Sequence, residues 1–62
     1  MYARYAKLRD KKGVTDYLVA KETGISAVTL SEWKSGKYNP KVDKLLKLAK
    51  FFDVPIEYFL EG

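Results

Sequence analysis

The sequence predicts an all-α fold: a compact arrangement of five short helices in one domain covering residues 1–62. Apolar residues recur at three- and four-residue steps, most plainly at Val42, Leu45, Leu48, Ala49 and Phe52, which is the signature of an amphipathic helix. Helix stops divide the chain into short pieces, with Gly13, Gly24 and Gly36 at three of the boundaries and Asp53–Val54 at a fourth. Several of the pieces open on helix-starting residues: Thr15, Ser26, and the pair Asn39–Pro40.

The first helix covers Tyr2 to Lys11, with Tyr5 and Leu8 three residues apart on its inner face and Gly13 ending it. Thr15 caps the second helix, whose buried face is Val19 and Ala20, and Gly24 sits just past its last turn. Ser26 caps the third. On that helix Leu30 and Trp33 share one side, Thr29 lies at its border, and Ala27, Val28, Ser31, Glu32 and Lys34 lie on the other. Gly36 closes it, and residues 37–40 form a loop. Asn39 then serves as cap and Pro40 as first turn of the fourth helix, whose inner stripe starts at Val42. Pro55 restarts a short fifth helix from which Ile56 and Phe59 fold back. Trp33, Phe52 and Phe59 are read as core, whereas Leu46, Phe51, Tyr58 and Leu60 fall off the inner stripes.

Composition narrows the function. The chain has no cysteine and no histidine, so disulfides, thiol chemistry and His/Cys metal sites are excluded. Its serines and threonines have no histidine to activate them, its glycines are isolated stops with no phosphate-cradling loop, and its carboxylates show no acid–base pattern. The expectation is a protein that is not an enzyme, with no cofactor and no small-molecule substrate. Neither a secretory signal nor an apolar run approaching the roughly 20 residues of a membrane span is present. A cytoplasmic protein without a membrane partner is therefore expected. Net charge is +4, with lysine and arginine concentrated in residues 1–13 and 34–50 and acids (Asp53, Glu57, Glu61) gathered at the end. Such a basic body fits a polyanion partner.

Residues 15–36 carry the sharpest signal. A small residue, Ala20, stands where two helices must approach; Gly24 follows four positions later, then Ile25 and a fresh helix start at Ser26. This is the sequence form of a helix-turn-helix, whose second helix can enter the major groove of DNA. Around it, Leu8–Arg9 before Gly13, Thr29–Leu30, Gly36–Lys37, Asn39–Pro40, the Leu45–Leu48–Ala49–Phe52–Val54 series and the Ile56–Phe59 pair follow in order. The ordered set resembles the lambda-repressor-like, Cro/XRE-type helix-turn-helix domain of phage and bacterial transcription regulators, over nearly the whole chain and without insertion.

That resemblance implies a lambda-repressor-like fold in which helices 2 and 3 form the motif, and a homodimer bound to a two-fold operator in double-stranded DNA. Carried over by position, Ala27, Val28, Ser31 and Glu32 occupy the base-reading sites. Thr15, Lys34, Ser35, Lys37, Tyr38 and Asn39 occupy places that grip phosphate. Phe51, Tyr58 and Leu60 suit a dimer surface, because clustered exposed aromatics are uncommon on monomers. Two positions depart from the pattern. Asp16 replaces the usual glutamine after the helix-2 cap and is read as a favourable anion in a first helical turn. Lys34 stands where Arg9 ordinarily finds a glutamate, so that ion pair is expected to be missing. The function expected is a sequence-specific repressor of phage or mobile-element type. A protein-interaction module on the same fold, antitoxin-like or an adaptor, is the alternative; its partner surface would be Tyr17–Leu18 or residues 51–60.

Overall fold

The computed structural model describes residues 1–60, so Glu61, counted above in the acidic end, lies outside the described residues. Five α-helices follow one another: α1 (Tyr2–Lys12), α2 (Asp16–Thr23), α3 (Ala27–Ser35), α4 (Val42–Phe52) and α5 (Glu57–Leu60). No strand occurs among the described residues. The all-α, five-helix expectation holds, with α2 and α3 as the helix-turn-helix.

Each helix stops for a local reason. At the ends of α1, α3 and α4 a residue with left-handed backbone lets two successive N–H groups donate back to carbonyls of the last turn. For α4 that residue is Asp53, at φ 56°, a conformation that a short polar side chain tolerates better than most. For α2 it is Gly24, at φ 79°, whose N–H donates to the Ala20 carbonyl at 2.9 Å. Starts are equally local. Thr15 Oγ1 accepts from the Leu18 N–H and Ser26 Oγ from the Thr29 N–H, as their sequence positions predict.

The core draws on every helix: Tyr5 from α1, Val19 from α2, Leu30 and Trp33 from α3, Leu45, Leu48 and Ala49 from α4, and Phe59 from α5. Ile25 is the buried residue of the α2–α3 turn, and it fixes that corner to the interior. Full burial of an aliphatic side chain of this size contributes roughly 1.5–3 kcal/mol. Loss of Ile25 from the corner would therefore loosen the angle at which α3 is held. Tyr5 is the aromatic hub, its ring centroid 5.3 Å from Trp33, 5.6 Å from Tyr2 and 6.0 Å from Phe52.

Two expectations about α4 need correction. The helix begins at Val42 with Lys41 as an N-cap that offers no side-chain bond, so Asn39 and Pro40 are not its cap and first turn. Pro40 is buried instead: its apolar ring fills interior space ahead of the helix. Val42 is 58% exposed, and the buried stripe starts at Leu45. As the first residue of α4, Val42 lies one turn outside the packed layer. Ala20, Leu8 and Phe52 are half-buried and pack against the core rather than lying within it.

Because nothing lies within 4 Å of a Cβ built at Gly24, a substitution there meets backbone strain alone. Gly24→Ala should destabilise the protein by about 1–2 kcal/mol, the cost of a left-handed L-residue. Urea denaturation measures it, and the D-alanine variant made by chemical synthesis should lose none of that amount.

Candidate nucleic-acid interface

With Ile25, Leu30 and Trp33 buried, the rest of α3 has only one way to face. Ala27, Val28, Ser31 and Glu32 all stand exposed, Val28 at 67%, and form a convex ridge one side chain deep. The four residues expected to read bases are thus brought together on a single face. Their chemistry is limited: two methyl-bearing side chains, one hydroxyl and one carboxylate. Methyl groups pack on the thymine C5-methyl and a carboxylate accepts from cytosine N4.

The residues expected to grip phosphate lie at the end of α3, in the loop after it and at the start of α2. Lys34, Ser35, Lys37 and Asn39 are exposed and Tyr38 is half-buried against the core. The Lys37 backbone N–H closes α3, donating to the Glu32 carbonyl at 2.9 Å, and its side chain is exposed. Ser35 differs, because its hydroxyl donates to that same Glu32 carbonyl at 3.0 Å. Thr15 is exposed at the start of α2. Its oxygen accepts the capping bond while its hydroxyl hydrogen remains available. The first N–H groups of α2 have no partner within the helix and point the same way, the arrangement that favours an anion.

Asp16 sits beside those N–H groups, and its charge is already engaged. It accepts from the Tyr5 hydroxyl and from Arg9 Nη1, the latter at 3.0 Å, and Arg9 Nη1 also donates to the Tyr2 hydroxyl at 3.3 Å. Arg9 is therefore not left without a partner by the lysine at position 34: Asp16, at the start of α2, takes that role, with Asp10 at 3.1 Å as a second. Burial pushes the Asp16 carboxyl up, but bonds from Tyr5 and Arg9, and the charges of Arg9 and Lys34, outweigh it and hold the group below its ordinary value. Burial, then the bond to Asp16, raises Tyr5 far above the phenolic range. The Asp16 bond likewise raises Arg9, which stays charged. An acid that would have opposed a phosphate is thus turned towards α1 and paired there. Sequence reasoning missed this network. The available signal was a basic end of α1 facing, across the Gly13 turn, an acid opening α2.

The ridge is carried by residues 27–32 of a segment that compares closely with known regulators. A family model described as helix-turn-helix matches residues 6–59. The chain belongs to the helix-turn-helix family. It is 36% identical over 56 residues to the HTH-type transcriptional activator BcrR of Enterococcus faecalis, covering 90% of this chain and 28% of that protein. An HTH-type transcriptional regulator of Archaeoglobus fulgidus is 35% identical over 57 residues, 92% of this chain and 81% of its own length. A third, MJ0272 of Methanocaldococcus jannaschii, is 44% identical over 39 residues, 63% of this chain and 59% of that one. The helix-turn-helix chain thus spans under a third of the Enterococcus activator but most of the Archaeoglobus regulator. No solved structure matches it. These relatives are named as transcription regulators, and no described helix is long and apolar enough to cross a membrane.

The three residues expected at a dimer surface are distributed unequally on this helix-turn-helix scaffold. Leu60 is exposed, and Tyr58 is half-buried under the Arg4 guanidinium at 5.1 Å. Phe51 is half-buried under the Lys12 ammonium at 5.5 Å, two turns further along α1.

The Asp16 network should be visible in the pH dependence of stability. A carboxyl held below its ordinary 3.8 contributes fully above that value, and the contribution disappears as pH falls through the folded-state value. Asp16→Asn should cost about 1 kcal/mol near neutral pH, a modest sum because the group is partly solvated. It should also flatten the loss of stability that the natural protein suffers below about pH 4. Urea titrations between pH 2.5 and 7 test both effects, and combination with Tyr5→Phe should be less than additive.

Proposed function

We propose that this protein is a sequence-specific DNA-binding transcription regulator that inserts α3 into the major groove. The observation that carries the proposal is the ridge of Ala27, Val28, Ser31 and Glu32. It is held outward by buried Leu30 and Trp33 and accompanied by Thr15 at the start of α2, Lys34 at the end of α3 and Lys37 in the loop after it. In this reading the accompanying groups fix the helix on the phosphate backbone, and the ridge discriminates bases. Tyr17, 75% exposed on the first turn of α2, adds a hydroxyl able to donate to the same phosphates.

Two copies bind a two-fold operator with half-sites about one helical turn apart. The contact between copies is assigned to the α5 side, around Tyr58 and Leu60. Phe51 is left out of it, because it lines a separate cleft between the end of α2 and α4. Regulation is by occupation of an operator that overlaps a promoter, so the protein acts as a repressor of phage or mobile-element type. The whole reading rests on family membership for its geometry and on this chain's own side chains for its specificity.

Selection of bound duplexes from a random library tests the proposal and yields the half-site spacing. A palindromic consensus bound with salt-sensitive affinity supports it. Absence of any duplex binding at low salt would move the function to a protein partner. On the selected duplex, Glu32→Ala should relax preference at one base pair and leave most affinity intact, which repeat selection with the variant measures. Lys37→Ala should weaken binding to every sequence and lower the slope of log affinity against log salt by about one. An unaltered slope removes Lys37 from the phosphate set.

A further inference from the structure

Two shallow clefts adjoin each other on a part of the surface that contains no residue of α3, of the loop after it, or of the start of α2. One, of about 390 Å³, lies between the end of α2 and α4 and is lined by Glu22, Thr23, Lys47, Lys50 and Phe51. The other, of about 320 Å³, lies between the end of α1 and the segment after α4, lined by Leu8, Lys11, Lys12, Phe52 and Val54. They meet where the Lys12 ammonium stands 5.5 Å from the Phe51 ring centroid and where Phe51 and Phe52 pack edge to face at 4.9 Å. The result is one bent groove with an apolar floor and a rim of four lysines against a single acid, Glu22.

We propose that this groove docks an acidic protein segment that carries large apolar side chains, separately from the face that reads DNA. The floor argues for a peptide over a nucleic-acid backbone. Leu8, Phe51, Phe52 and Val54 are half-buried and line the clefts, with the Lys12 ammonium over the Phe51 ring, and phosphates gain nothing by covering such apolar surface. The rim argues for acid. Lys11, Lys12, Lys47 and Lys50 have no ion-pair partner among the described residues, so an acidic ligand meets charges that are not already satisfied. A second copy of this chain is disfavoured for the same reason, since it would bring the same lysines to the contact. Aromatic anchors seated in a pocket and ringed by charge are the usual form of an energetically concentrated binding site, and rim charges set the encounter rate and partner choice.

Phage display of random 12-residue peptides against the folded full chain, with excess non-specific duplex present to occupy the DNA face, tests the proposal. Enrichment of peptides with at least two acids and one large apolar residue is expected. Lys12→Glu combined with Lys50→Glu should weaken the selected peptides tenfold or more, and replacement of their apolar anchors by alanine should do likewise. A milder pair, Lys12→Gln with Lys50→Gln, checked for native circular dichroism, guards against unfolding and should still weaken them severalfold. Selected peptides that bind the lysine variants undiminished, that lose nothing with their anchors, or that lack acids altogether overturn the proposal, as does a failure to enrich any peptide. The result is independent of whether α3 binds DNA, because no residue of α3 lines either cleft.

Discussion

Tyr5 holds the apolar and polar halves of this molecule in register. Its ring is fully buried against Trp33, Tyr2 and Phe52, and its hydroxyl donates to Asp16 at the first turn of α2. One side chain on α1 thereby touches α3 from inside, through Trp33, and fixes the start of α2 from its edge. Arg9 completes the arrangement by binding the same carboxylate, so α1 is tied to α2 by both a neutral and a charged donor. A helix-turn-helix needs its two helices at a set angle and its first helix start at a set distance from the second. In this chain Ile25 and the α2–α3 packing hold the angle, and α1 fixes the start of α2 through Asp16.

The consequence for the surface is electrostatic as well as geometric. An acid at the start of α2 would oppose the anion that the free N–H groups there attract. Drawn towards α1, with Tyr5 and Arg9 upon it, Asp16 keeps its favourable place in the first helical turn while its carboxylate is held by two donors. Lys34, which lacks a glutamate's role in pairing Arg9, lies close enough to lower the Asp16 carboxyl further and still has an exposed side chain. In this chain the acid that pairs with Arg9 stands at the start of α2, and position 34 at the end of α3 is a lysine.

Most of the scaffold could be read from local chemistry. Thr15, Ser26, Gly13, Gly24 and Gly36 mark boundaries through interactions within four residues, which a linear sequence displays directly. The buried set on α3 followed from three-residue spacing alone. What escaped was decided by contacts distant in sequence. Pro40 looks like a helix opener by local rules, yet interior space ahead of α4 claims its ring. Val42 fits the apolar stripe but lies past the edge of what the other helices cover. The Arg9–Asp16 pair crosses a turn that periodicity does not see. For the interface, the outward placement of Ala27, Val28, Ser31 and Glu32 was legible, whereas the commitment of the Ser35 hydroxyl to a backbone carbonyl was not.

The central claim is that the exposed ridge of α3 is where this protein meets DNA and reads its sequence. Backbone amide shifts followed by NMR during titration with a library-selected duplex test it most directly. The account predicts that amides of residues 26–32, together with those of residues 15–17 and 34–39, move in proportion to duplex added, while those of Leu8, Lys47 and Val54 stay in place. Shifts centred on the groove between α1, α2 and α4, with residues 27–32 unmoved, would contradict it.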